Sequence, residues 1–201
     1  MVISTSPLKQ TEVEFSDETL EQKFSNISMD YEDQYISAGY PPKICATMIS
    51  KLCPEERLQI KILDVGCGKG EVGKYLKEVG FHHLRGLECS KSLIEVAAAK
   101  GCYDKIDHFI FGQKSTVIPD SLLGQFDYVS VPSLINNSDL DINVFKNLID
   151  CLKIGGHAIF ATKLDLHSVD IYDTHIKQLE AEGFWKFTSE HMFNRYDKLC
   201  N

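Results

Sequence analysis

Asp64 stands two residues before the first of three glycines at alternate positions, Gly66, Gly68 and Gly70, in the run Lys61-Ile62-Leu63-Asp64-Val65-Gly66-Cys67-Gly68-Lys69-Gly70. Glycines lack a Cβ and let backbone N–H groups come close to a ligand. A helix starting at Glu71 would add unpaired donors and a partial positive charge. A second acid, Glu88, lies 20 residues beyond Gly68 at the tip of another short apolar run. A carboxylate placed there can accept hydrogen bonds from the hydroxyls of a ribose. Taken alone, Glu88 reads as a solvated acid; behind a glycine turn it reads as a ribose ligand. The order of residues is that of a nucleotide site.

The register of the glycines decides which nucleotide. Gly68-Lys69-Gly70-Glu71-Val72-Gly73 matches G-x-G-x-x-G, the dinucleotide fingerprint, but in that fingerprint the first glycine follows the strand directly. Here Gly66 does so. With Gly66 first, the third fingerprint position falls on Glu71, which would set negative charge against a pyrophosphate. Asp64 is equally awkward for a pyrophosphate and suits a ligand with a positively charged end.

The elements that must hold these residues follow from periodicity. Residues 1–15 are polar and aperiodic and are expected to form a disordered arm. Residues 16–53 are expected to form a helical cap. Ser16 would cap a helix with Leu20, Phe24, Ile27 and Tyr31 at helical spacing. Pro41 and Pro42 suit the first turn of a second helix, which carries Ile44, Met48, Ile49 and Leu52 and stops at Cys53-Pro54. The first of these helices either lies over the core or brings Tyr31 or Tyr35 across a ligand as an aromatic lid. From residue 60, strands are expected at Ile60–Val65, Leu84–Glu88, His108–Phe111, Asp127–Val131 and Ala158–Thr162, with Gly155-Gly156 turning the chain into the last of these. Helices are expected at Glu71–Val79, Ser92–Lys100, Ile142–Leu152 and Val169–Glu182, and a final antiparallel strand at Phe184–Met192. This alternation builds right-handed βαβ units: a Rossmann-like, doubly wound α/β fold with a mostly parallel sheet covered on both faces. Residues 16–201 are read as a single domain with its core at 60–201. Ligands of such folds bind beyond the carboxyl ends of the strands, so the site is expected on the loops Asp64–Gly70, Glu88–Ser90, Gly112–Lys114 and Pro132–Asn136.

Composition narrows the partners. Of 201 residues, 43% are hydrophobic and 25% charged, the balance of a globular protein. A net charge of −8 repels polyanions, so nucleic acid is not expected as a partner. With no apolar run of transmembrane length and no leader-like N-terminus, a cytoplasmic protein is expected and no membrane. The 7 cysteines contain no C-x-x-C pair and are expected to be reduced thiols rather than disulfides or zinc ligands. No histidine pair has metal-ligand spacing, so no metal is expected. Cys67 is read as a small packing residue, with heightened reactivity beside a helix N-terminus as the alternative. Tyr75 and Phe81 read as core.

The glycine turn, with Asp64 behind it and an acid at the tip of the second strand, resembles motif I of the class I methyltransferases that use S-adenosylmethionine. Further matches are Phe126-Asp127 opening the fourth strand and Leu152-Lys153-Ile154-Gly155-Gly156 before the fifth; the resemblance covers about residues 24–196. At a finer level the chain is similar to the methyltransferase-like group of the Williams–Beuren chromosome region, sharing Gly112-Gln113 and the loop after the fourth strand. The resemblance implies about seven strands, S-adenosylmethionine as cofactor with S-adenosylhomocysteine as product, and a small-molecule or protein acceptor. It also implies roles. Gly66, Cys67 and Gly68 would line the methionine and ribose portions, with Asp64 helping to hold the cationic amino end. Glu88 would bind the ribose diol, Cys89 and Leu93 would flank the adenine, and Gly112 and Gln113 would meet its edge. Pro132 and Ser133 would lie beside the methionine arm, and Tyr31 is the lid candidate. The usual seventh strand, placed at Arg195–Cys200, is expected to be short or incomplete, with the substrate side expected to be open or completed by a partner. Methyl transfer from a sulfonium needs a general base only when the acceptor must lose a proton. The sequence names none; His167, Tyr172 and His175 are candidates weighed against ordinary surface roles. A cofactor-binding protein without catalysis is the second reading, and a nicotinamide-dependent oxidoreductase the third.

Overall fold

The computed structural model describes residues 41–114, 116–132, 141–161, 166–186 and 188. The arm, the first cap helix with Tyr31 and Tyr35, and the loop residues Ser133–Asn136 lie outside these, as do Thr162 and most of the expected sixth and seventh strands. The element order is α1 Pro41–Leu52, β1 Lys61–Val65, α2 Glu71–Glu78, β2 His83–Glu88, α3 Lys91–Ala99, β3 Lys105–His108, β4 Phe126–Val131, α4 Val144–Cys151, β5 Leu152–Phe160 and α5 Leu166–Ala181.

The described strands form a 5-stranded sheet in the order β3-β2-β1-β4-β5, with every neighbouring pair parallel. β1 is central because Ile62, Leu63 and Val65 are apolar on both faces and fully buried, as a parallel inner strand requires. On one face Ile62, Leu84 and Tyr128 pack against Ala46 and Ile49 of α1 and Val72 and Leu76 of α2. On the other face Leu63, Val65 and Val129 pack against Phe145 and Leu148 of α4 and Leu179 of α5. Strand order reverses between β1 and β4, and the carboxyl ends of these two strands flank the switch point where doubly wound folds bind ligands.

Several boundaries differ from expectation for identifiable reasons. β3 occupies Lys105–His108, not the apolar run His108–Phe111. Its ladder opens with Asp104 N–H donating to Leu84 O at 2.8 Å and closes with Phe109 N–H donating to Glu88 O at 2.9 Å. As an edge strand β3 is half-exposed and takes the polar residues, while Phe111 leaves the ladder and packs into the core. β5 begins at Leu152 rather than Ala158. Gly155, at φ 83°, and Gly156 fall inside it, where the pairing with β4 jumps from Phe126↔Leu152 to Tyr128↔His157. The two glycines therefore make a bulge, not a turn into the strand. α3 starts one residue early because Ser90 is its N-cap, its hydroxyl accepting from Leu93 N–H. Of the expected sixth strand, Phe184, Trp185, Lys186 and Thr188 are described and lie outside any strand. Gly183 N–H donates to Glu180 O and Phe184 N–H to Leu179 O, a Schellman ending that commits these residues to closing α5. Among the described residues no helix is long and apolar enough to cross a membrane.

Candidate functional site

The turn after β1 folds back on the turn after β2. Gly66, Gly68 and Gly70 have φ of 69°, 52° and 82°, left-handed values that any side chain would strain. The amides of Gly66 and Cys67 both donate to Leu87 O, at 2.9 and 3.0 Å, and that of Gly70 to Cys67 O at 2.8 Å. Gly68 N–H donates to Glu88 Oε2 at 2.9 Å. The other oxygen, Oε1, accepts from Cys89 N–H at 2.8 Å and Ser90 N–H at 2.9 Å. Glu88 is thus a buried clasp joining two loops as well as an acid at a strand tip. Oε2 keeps a second lone pair for a hydroxyl donor.

Asp64 is 1% exposed, lies in register with Gly86 of β2 and Ser130 of β4, and faces the α1 and α2 side of the sheet. Its Oδ2 accepts from the hydroxyl of Tyr103 at 2.6 Å, and that hydroxyl accepts from Gly73 N–H at 3.0 Å. Burial, reinforced by the Asp64 charge, pushes the Tyr103 phenol well above its ordinary range, so it stays a protonated donor. Cys45 of α1 lies close by; burial, with Asp64 adding, pushes its thiol up to about 12. It is neutral at physiological pH.

Tyr103 belongs to no motif and was missed by the sequence reading. A signal existed in Gly73. Glycine inside a helix costs about 1 kcal/mol relative to alanine, so a bulky neighbour was its natural explanation. A Cβ on Gly73 would stand 2.4 Å from Tyr103 Cζ. The chance G-x-G-x-x-G match therefore ends on a glycine that makes room for a ring. Glu71, its other discordant position, forms an ion pair with Lys100 at the end of α3.

The remaining expected residues are placed as follows. Cys67 is buried, and a Cβ on Gly86 would lie 2.9 Å from its Sγ, so the thiol packs onto β2. Cys89 is half-buried beside Glu88, and its carbonyl is 2.7 Å from His108 Nε2, which ties in the end of β3. Leu93 is buried in the first turn of α3. Gly112, at φ 85°, and Gln113 follow β3; Gly112 O accepts from Asp141 N–H at 2.8 Å, and Gln113 N–H donates to Thr116 Oγ1. Pro132 is buried at the exit of β4. Tyr31 and Ser133 lie outside the described residues, as do the side chains of His167 and Tyr172. His175 is half-buried and packs on Phe145, ring centroids 6.1 Å apart, with its Nε2 buried.

A methyltransferase-domain profile matches residues 38–198. The chain belongs to the methyltransferase-domain family. It is 26% identical over 161 residues to methyltransferase-like protein 27 of Homo sapiens, covering 78% of this chain and 64% of that one; the chain thus spans less than two thirds of this relative's length. Solved structures share the fold. One is an S-adenosylmethionine-dependent methyltransferase of Thermotoga maritima, with 19% identity, a TM-score of 0.51 and coverage of 70% of this chain and 60% of the other. A ribosomal protein methylase of Lactobacillus delbrueckii subsp. bulgaricus gives 16%, 0.50, 67% and 66%.

The group that the resemblance of the glycine turn and the acid ending β2 implies is S-adenosylmethionine. The donor set of the methyltransferase domain fits it better than it fits a dinucleotide. The loop amides at Gly66, Cys67, Gly68 and Gly70 are all engaged within the protein, and Gly68 N–H is held by a carboxylate where a pyrophosphate would need it. What the turn offers a ligand is two buried acids, Asp64 and Glu88, suited to an ammonium group and a pair of hydroxyls.

Proposed function

We propose that the protein is an S-adenosylmethionine-dependent methyltransferase acting on a small-molecule or protein acceptor. The observation that carries this reading is the Glu88 clasp on Gly68, which holds an acid at the tip of β2 and engages the loop amide a pyrophosphate would use. S-adenosylmethionine supplies a sulfonium-bound methyl group with a neutral thioether as leaving group. In this reading Glu88 receives the ribose hydroxyls on Oε2, and Asp64 takes the amino end directly or through water. Gly66 and Gly68 keep Cβ atoms out of the methionine arm's path, Cys89 and Leu93 flank the adenine, and Gly112 and Gln113 meet its edge. Gln113 stands where many relatives resembled by this chain carry an aspartate; its amide oxygen still accepts from an exocyclic amine. The chain's main contribution to rate is then orientation, holding donor and acceptor in line and water out. Pro132 and Ser133 at the β4 exit, with Tyr31 as lid, border the acceptor's approach.

Incubating the protein with methyl-labelled donor and fractionated cell extract tests the activity. Label is expected in one acceptor fraction. Donor binding without transfer to any fraction would support the cofactor-binding protein instead.

A further inference from the structure

We propose that Tyr103 is a positioning residue that orients Asp64 toward the amino-acid end of the methyl donor. The inference rests on the methyl-donor reading above and adds to it a residue outside every motif. α2 begins after Gly70, which has no side chain to cap it, so the amides of its first turn lack the usual serine or aspartate acceptor. Tyr103, from the loop after α3, supplies that acceptor from outside the helix: its oxygen accepts from Gly73 N–H at 3.0 Å and its hydroxyl donates to Asp64 Oδ2 at 2.6 Å. The positive end of α2 is thereby connected through one phenol to the acid at the end of β1. Space for the ring comes from two glycines. A Cβ on Gly70 would come within 3.1 Å of Tyr103 Cε2, and one on Gly73 within 2.4 Å of Cζ. The ring packs closely over both glycines, and its hydroxyl holds Oδ2 of the Asp64 carboxylate. Packing alone would need only the ring; the relay needs the oxygen.

The test uses two ligands that differ only at the end Asp64 would hold. S-adenosylhomocysteine carries the amino-acid arm, and 5′-methylthioadenosine lacks it. In Tyr103→Phe the ring stays and the hydroxyl goes. Affinity for S-adenosylhomocysteine is expected to fall about tenfold or more, the scale of one hydrogen bond to a charged group. Affinity for 5′-methylthioadenosine is expected to change less than about twofold. Equal losses for both ligands would show a general loosening of the loop and overturn the inference, as would no loss for either. If wild-type protein bound neither ligand, the methyl-donor reading and this inference would fall together. Should Tyr103→Phe not fold, the same comparison is read in wild-type protein from the ¹³C resonance of the Tyr103 ring carbon bearing the hydroxyl. It is expected to move on adding S-adenosylhomocysteine and not 5′-methylthioadenosine; movement with both or with neither overturns the inference.

Discussion

Glu88 holds three loop amides and, in the proposed reading, also receives the ribose hydroxyls. Its oxygens accept from Gly68, Cys89 and Ser90 amides inside the protein, so Glu88→Ala strands these donors as well as removing the proposed ribose contact. Each stranded amide costs about 1–3 kcal/mol, so this variant should lose several degrees of melting temperature and bind the donor at least about tenfold more weakly. Calorimetry and thermal melts on one sample check both. An unchanged dissociation constant would remove Glu88 from the site. The cysteines offer a simpler check. Burial holds the Cys45 and Cys151 thiols up to about 12, whereas Cys89 is half-buried at the surface of the site. At pH 8 an alkylating reagent should label Cys89 well before Cys45 or Cys151 in native protein, as peptide mass mapping would show. Asp64 and Glu88 were legible in the sequence because charge, glycine spacing and strand ends are local properties. Tyr103 was not, since its bond to Asp64 spans 39 positions and no periodicity marks it.

Gly73 shows how an element's sequence answers to a neighbour. In an isolated helix Gly73→Ala would gain about 1 kcal/mol. Here the added Cβ would meet the Tyr103 ring at 2.4 Å, and overpacking of this kind costs about 1–3 kcal/mol. The variant should therefore unfold at lower denaturant than wild type, and Tyr103→Ala in the same chain should reduce the loss caused by the methyl. Equal losses in both backgrounds would contradict the contact. The same logic explains the misplaced strand. An apolar run at His108–Phe111 looks like a strand when only hydrophobicity is read, but edge position and the register with β2 give the ladder to Lys105–His108. The Gly155-Gly156 pair was visible as a break, though its conversion to a bulge depends on pairing with β4, which no local pattern specifies.

Across the whole molecule the alternation of strand and helix was enough to foretell a parallel sheet covered on both faces, because each βαβ unit carries its own handedness and burial rule. Strand order, by contrast, is set by long-range pairing. Charge pairs at the amino edge of the sheet help secure that order. Asp127 accepts from Lys61 N–H at 2.8 Å and pairs with Lys153 at 2.7 Å, linking β1, β4 and β5. On the other side of β1, burial pushes the Asp107 carboxyl up, but Arg85 at 2.6 Å and Lys105 outweigh it and hold the group below its usual range. A depressed folded value contributes stability that is complete above the unfolded value, near about 3.9, and is lost as pH falls through the folded one. Arg85→Met should therefore lower stability at neutral pH and flatten the acid limb of the stability profile. A variant parallel to wild type from pH 6 to about pH 2 would contradict that assignment. The central claim concerns the loop between β1 and α2, and calorimetric titration tests it most directly. Titrated separately, S-adenosylmethionine and S-adenosylhomocysteine should each bind at one site per chain, and NAD should give no heat of binding; saturable binding of NAD without either adenosyl ligand would contradict the account.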